Sequence, residues 1–124
     1  MAEKTCYISV FYLGDRRINQ KEVDENFGYS LTSKDKFEHL HKQIAYLLKV
    51  EHNLNKIFFV FNLDSDHYPY IKDINNIVPK QIKNTPVEII FRENKGFSYG
   101  AWNDVFEQNR NNFDYFIFNE DDYV

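Results

Sequence analysis

Three consecutive carboxylates, Glu120, Asp121 and Asp122, follow the apolar run Asp114 to Asn119. Crowded acids repel one another, and a hard divalent cation relieves the repulsion by taking oxygen ligands. Mg²⁺ or Mn²⁺ uses one or two carboxylates and completes its shell with water and substrate phosphates. The same trio also reads as a solvated acidic chain end, because acidic surface loops are common. A second feature bears on phosphate: Gly96 and Gly100 stand just ahead of a helix-like stretch. Glycine permits close backbone approach to a ligand, and a helix N-terminus favours an anion. A plain turn gives the same spacing. The pattern is not the Walker loop, which needs Gly-Lys-Ser/Thr. Nor is it the dinucleotide fingerprint, which would follow the first strand. Arg16 and Arg17 can grip phosphate oxygens bidentately or simply belong to a solvated loop.

The elements that must carry these groups are legible as short apolar runs. Cys6 to Leu13, Lys56 to Leu63, Val87 to Phe91 and Asp114 to Asn119 are rich in β-branched and aromatic residues. They are nearly continuous rather than alternating, as expected of strands covered on both faces. Helical stretches lie between them. Ser33 suits an N-cap for Lys34 to Val50, where Phe37, Leu40, Ile44, Leu47 and Leu48 form one stripe. A weaker helix is expected from Tyr70 to Val78, limited by Pro79, and a third from Tyr99 to Asn109. The β-α-β-α-β-α-β order predicts an α/β fold, a Rossmann-like three-layer sandwich around a mainly parallel four-stranded sheet. Ligands of such sheets bind outside the carboxyl ends of the strands. All four of those ends are polar here and are expected to converge on one edge. Gly14 to Thr32 is a long polar loop after the first strand, the kind of segment that is usually functional or mobile.

Composition narrows the classes. The 124 residues fit a single domain. Fifteen basic and 19 acidic residues give a net charge of −4, which supplies no basic field for nucleic acid or anionic membrane. Apolar residues make up 43 %, too many for a disordered chain. One cysteine, Cys6, allows neither an internal disulfide nor a cysteine-based zinc site and reads as a small core residue. No apolar run approaches the roughly 20 residues that span a bilayer. No secretory leader is recognised at the start, so a cytoplasmic location is expected. His39 and His41 do not share a helix face, which argues against a paired metal site.

The stretch Glu93 to Gly100, ENKGFSYG, followed by a helix, a hydrophobic strand and Asn119-Glu120-Asp121-Asp122, resembles the nucleotide-sugar-binding half of GT-A glycosyltransferases. At the level of strand order the resemblance covers the whole chain, and at the level of motif it covers Phe91 to Tyr123. Asn94, Lys95, Gly96, Phe97 and Gly100 match the family's loop, whereas Ala101 and Trp102 depart from it; Trp102 reads as packing rather than sugar stacking. Glu120-Asp121-Asp122 matches the acidic motif as a Glu-x-Asp variant. The resemblance implies Mn²⁺ or Mg²⁺ on a nucleoside diphosphate, with Asp122 the first choice of metal ligand and Glu120 or Asp121 directed to ribose or acting through water. It places Phe11, Tyr12, Asn62, Asp64 and Asp66 where the family contacts the base. There an aromatic ring can stack on uracil and a carboxylate can accept from its N3–H. Arg16 and Arg17 would reach the diphosphate. A UDP-sugar, UDP-glucose or UDP-galactose first, is the implied donor. The acceptor half and catalytic base of the family lie beyond its acidic motif, and no catalytic base is assigned here. Sugar transfer, slow hydrolysis and non-catalytic binding or assembly are the activities compatible with a donor half. A phospho-receiver domain would place its acid pair after the first strand, where this chain reads Leu13-Gly14-Asp15-Arg16-Arg17. The family's sheet order sets the fourth strand beside the first. That would leave Phe113 to Asn119 as an apolar edge suited to self-association as a homodimer.

Overall fold

The computed structural model describes residues 3–13 and 37–120. Strand β1 is Thr5–Tyr12, helix α1 Glu38–Lys49 and strand β2 Lys56–Leu63. A 3₁₀ turn, Ser65–Tyr70, leads into α2, Ile71–Ile77. Strands β3 (Gln81–Ile82) and β4 (Thr85–Glu93), helix α3 (Phe97–Asn109) and strand β5 (Tyr115–Glu120) complete the chain. The fold is α/β, with a five-stranded, mostly parallel sheet in the order β3-β4-β2-β1-β5. The expected parallel strands are all present, and β5 lies beside β1 as anticipated.

The sheet is five-stranded rather than four-stranded because β3 adds a short antiparallel pair to β4. Its connection is the two-residue turn Lys83-Asn84, with φ of 48° and 68°. Two left-handed residues in succession match the right-handed twist of a hairpin. Lys83 lacks the usual glycine or asparagine signature, so the hairpin was not read from the sequence. Its ammonium is held by the Val50 carbonyl at 2.8 Å.

The continuous strands are explained by burial on both sides. Alternate residues of β1 and β2 divide between two cores. Tyr7, Phe11, Ile57, Phe59, Phe61 and Leu63 pack with Leu40 and Leu47 of α1 and Ile74 of α2. Cys6, Ile8, Val10, Phe58 and Val60 pack with Ala101 and Val105 of α3. The helices change face because the chain reverses direction: β1, β2 and β4 step outward, then α3 carries it back past β1 to β5. Phe11, Phe61 and Phe91 occupy one row across three strands, with ring centroids 4.9 and 5.8 Å apart.

Helix boundaries differ in instructive ways. Helix α1 begins at Glu38; Ser33 and residues 34–36 lie outside the described residues. Leu48 was expected on its apolar stripe but is 52 % exposed, while Gln43 is buried. Leu48 lies about 100° around the helix from Leu47, past the strip that touches the sheet. The Tyr70 to Val78 helix is confirmed as Ile71–Ile77, preceded by the 3₁₀ turn. Helix α3 starts two residues early, at Phe97, because Gly96 in the left-handed region (φ 71°) lets the chain turn directly into it. Among the described residues, no helix is long and apolar enough to cross a membrane.

Candidate functional site at the carboxyl edge of the sheet

The reversal of strand order places a switch point between β1 and β5, and the carboxyl ends of β1, β2, β4 and β5 share one edge. Tyr12, Asn62 and Arg92 form the last row across three strands. Arg92 is the clamp of this edge. Its Nη1 donates to Asn62 Oδ1 at 2.7 Å and to the Lys95 carbonyl at 2.9 Å. Its Nε and Nη2 both reach Asp104 Oδ2 on α3, at 3.0 and 2.9 Å. One guanidinium therefore joins the end of β2, the β4–α3 turn and α3 itself. The planar fork of arginine can satisfy several acceptors at once, which a lysine cannot.

That clamp and the left-handed turn beside it account for the glycine pair. Gly96 turns the chain at positive φ, and Gly100 N donates to its carbonyl at 2.8 Å. A Cβ on Gly100 would sit 2.6 Å from the Lys95 carbonyl oxygen and 3.3 Å from Arg92 Nη2. The turn is packed too tightly around Arg92 to admit any side chain there. The result is a rigid, backbone-lined start to α3, whose first free N–H groups suit an anion. Lys95 is exposed and pairs with Glu93 at 3.2 Å.

Asp64 is the second hub. Tyr12 Oη donates to its Oδ2 at 2.8 Å and Asn94 Nδ2 to its Oδ1 at 3.2 Å. The Asn94 backbone N–H adds a bond to the Leu63 carbonyl at 3.1 Å. The last residue of β1 and the residues following β2 and β4 are thus tied into one polar cluster. Asp64, Asp66 and His67 also lie close enough together to suggest a metal site. The chemistry of His67 opposes that reading. The Asp64 N–H donates to His67 Nδ1 at 3.1 Å, capping the 3₁₀ turn. An imidazole accepting at Nδ1 carries its proton on Nε2, and that nitrogen faces Asp66 Oδ1 at 3.8 Å. With Nδ1 occupied as an acceptor and the proton on Nε2, the imidazole presents no lone pair to a cation while this cap holds.

At the end of β5, Trp102 Nε1 donates to the Asn119 carbonyl at 3.1 Å, and its indole lies 5.6 Å from the Phe118 ring. The strand that ends at Glu120 is therefore bound to the helix that follows Gly96. On the other face, Asn119 Nδ2 donates to Tyr7 Oη at 2.7 Å, and Tyr7 Oη donates to Gln43 Oε1 at 2.9 Å. Burial pushes the Tyr7 hydroxyl up to about 12, with the Asn119 bond opposing. Glu120 offers a hard carboxylate, the donor type that suits Mg²⁺ or Mn²⁺. Among the described residues no basic side chain is ion-paired with it.

Of the residues singled out from sequence, Tyr12, Asn62, Asp64, Asn94, Lys95, Gly96, Gly100 and Glu120 all stand at this edge. Phe11 does not: it is 2 % exposed, stacked on Phe61 in the core, and presents no face to a base. Asn62 is buried as the acceptor of Arg92. Arg16, Arg17, Asp121 and Asp122 lie outside the described residues. Sequence reasoning missed Arg92, although an arginine closing the apolar run VEIIF was a visible signal. It also missed Tyr7, Gln43 and Asn119, whose partnership over separations of 36 and 112 residues leaves no linear trace. The chain matches no protein-family model, no curated protein and no solved structure in the comparisons made.

Proposed function

We propose that this chain is a donor-binding domain of the GT-A glycosyltransferase kind, with a Rossmann-like layered sheet, that holds a UDP-sugar through Mn²⁺ or Mg²⁺. The observation that carries the reading is the meeting of Tyr12, Asp64 and Asn94 in one hydrogen-bonded cluster at the carboxyl edge, in the same edge as the Gly96–Gly100 turn. In this reading the Asp64 cluster receives the base and the start of α3 receives the diphosphate. Glu120 and Asp122 would hold the cation, which would supply Lewis-acid stabilisation to the diphosphate. Phe11 has no part in it. Self-association through the apolar edge of β5, as a homodimer, belongs to the same proposal: Tyr115, Ile117 and Phe118 are each about half exposed there.

Calorimetric titration with UDP tests the reading. Binding is expected with Mn²⁺ present, to be lost on chelation, and to be lost in Asp122→Ala. No binding in the presence of the metal, or an unchanged affinity in that variant, refutes it. Release of free UDP from UDP-glucose or UDP-galactose then separates transfer or hydrolysis from a binding module without turnover.

A further inference from the structure

The end of β5 is held in an unusual way. Among the described residues β5 is an edge strand, paired only with β1, and its register ends at Val10 opposite Glu120. Edge strands fray where the ladder stops, so the point at which this chain leaves the sheet needs other restraints. Side chains supply them from both faces. Tyr7 Oη accepts from Asn119 Nδ2 at 2.7 Å and donates to Gln43 Oε1 at 2.9 Å, and Gln43 Nε2 reaches the Glu120 carbonyl at 3.5 Å. From the opposite face, Trp102 Nε1 donates to the Asn119 carbonyl at 3.1 Å. Two consecutive residues are thereby tied to β1, α1 and α3 together.

The composition of this network is not what packing alone would select. Gln43 is fully buried between Leu40 and Leu47, on the stripe of α1 where an apolar side chain would pack against the sheet. A buried amide costs stability unless it is fully bonded, and a bonded polar network restricts the structure to one arrangement. Trp102 stands two residues beyond Gly100, so its bond joins the glycine turn to the strand that delivers the acids.

We infer that Tyr7, Gln43, Asn119 and Trp102 are positioning residues that fix where Glu120 leaves the sheet relative to the Gly96–Gly100 turn. The inference rests on the donor-binding reading above and adds to it a mechanism for setting the spacing between cation and diphosphate. Tyr7 keeps its proton throughout the neutral range, so the hydroxyl remains both donor and acceptor.

The test uses the full chain with Mn²⁺ and UDP as probes, well below its melting temperature. Tyr7→Phe removes the hydroxyl and keeps the ring, and Trp102→Phe removes the indole N–H and leaves a smaller aromatic ring in its place. Each is expected to weaken Mn²⁺-dependent UDP binding about two- to tenfold, the factor one lost hydrogen bond carries. Each is also expected to speed amide exchange at the end of β5. Tyr7→Phe/Gln43→Leu replaces both buried partners by apolar groups. It is expected to melt close to the wild type yet bind more weakly, which a merely structural role would not produce. Ile74→Val, on the buried face of α2, is expected to lower the melting temperature without changing affinity. Absence of Mn²⁺-dependent UDP binding by the wild type overturns the donor reading and this inference with it. Wild-type binding with all three network variants unchanged overturns the positioning role alone.

Discussion

Gly100→Ala separates local propensity from tertiary packing by the sign of its effect. Gly100 is the fourth residue of α3, and inside a helix alanine is favoured over glycine by about 1 kcal/mol. Propensity alone therefore makes the variant more stable. The structure opposes this. The new Cβ would lie 2.6 Å from the Lys95 carbonyl oxygen, a backbone atom that cannot rotate away, and 3.3 Å from Arg92 Nη2. Relief requires moving the Lys95-Gly96 turn or the first turn of α3. Either movement also stretches the 2.9 Å bond from Arg92 to that carbonyl. Overpacking costs about 1–3 kcal/mol, and the weakened charged hydrogen bond adds about 1 kcal/mol. After the propensity gain is subtracted, the net destabilisation is about 2 kcal/mol. For a domain of this size that is a fall of about 6–10 °C in melting temperature. Calorimetry or thermal circular dichroism on the two proteins decides the matter. An unchanged or raised melting temperature would mean that the clamp around Arg92 is not as tight as described.

Four further outcomes are expected. Asp64→Asn replaces an oxygen that accepts from Tyr12 or Asn94 by an amide that must donate, so urea unfolding should report a loss of about 1–3 kcal/mol; an unchanged midpoint would remove Asp64 from the centre of the cluster. Burial raises Cys6 from 9.0 to about 11 and Tyr7 from 10.0 to about 12. The native state then binds more protons than the unfolded state between about pH 9 and 12. Stability is full below pH 9 and falls as pH rises through that window, which urea midpoints across it will measure. A thiol reagent at pH 8 should accordingly leave native Cys6 unlabelled; rapid labelling without unfolding would contradict its burial. Ile117→Lys/Phe118→Glu, which charges both faces of β5, should convert a dimer to a monomer by light scattering. A wild type that is already monomeric at working concentration counts against edge-to-edge association.

The glycine turn and the end of β5 illustrate how far sequence reading reaches. Gly96 and Gly100 were visible as a pair, but their spacing alone did not distinguish a simple turn from a built site. Gly96 is required by its left-handed backbone, and Gly100 by the Lys95 carbonyl, which Arg92 grips while reaching Asn62 and Asp104 across intervals of 30 and 12 residues. Phe11 illustrates the opposite case. The resemblance implied a ring beside a base, yet alternation put it in the core, where Phe59 and Phe61 cover it. Leu48 failed for a similar reason, since a helical stripe read by spacing does not disclose how wide a strip the sheet touches.

What the amino-acid sequence determined by itself was the four long parallel strands, the helices between them and the α/β class; the short β3 hairpin was not among them. Unbroken apolar runs such as KIFFVFNL can be satisfied only by strands covered on both faces, and the helical stretches between them force parallel connections. The carboxyl edge as the place of polar residues followed from that order. The tertiary structure alone decided which of those polar residues meet. Hydrogen bonds such as Tyr12 to Asp64 and Asn119 to Tyr7 depend on strand register and on the helix face set against it. Register and facing are properties of the packed sheet, produced by the burial of all the strands at once, and no local stretch of sequence contains them.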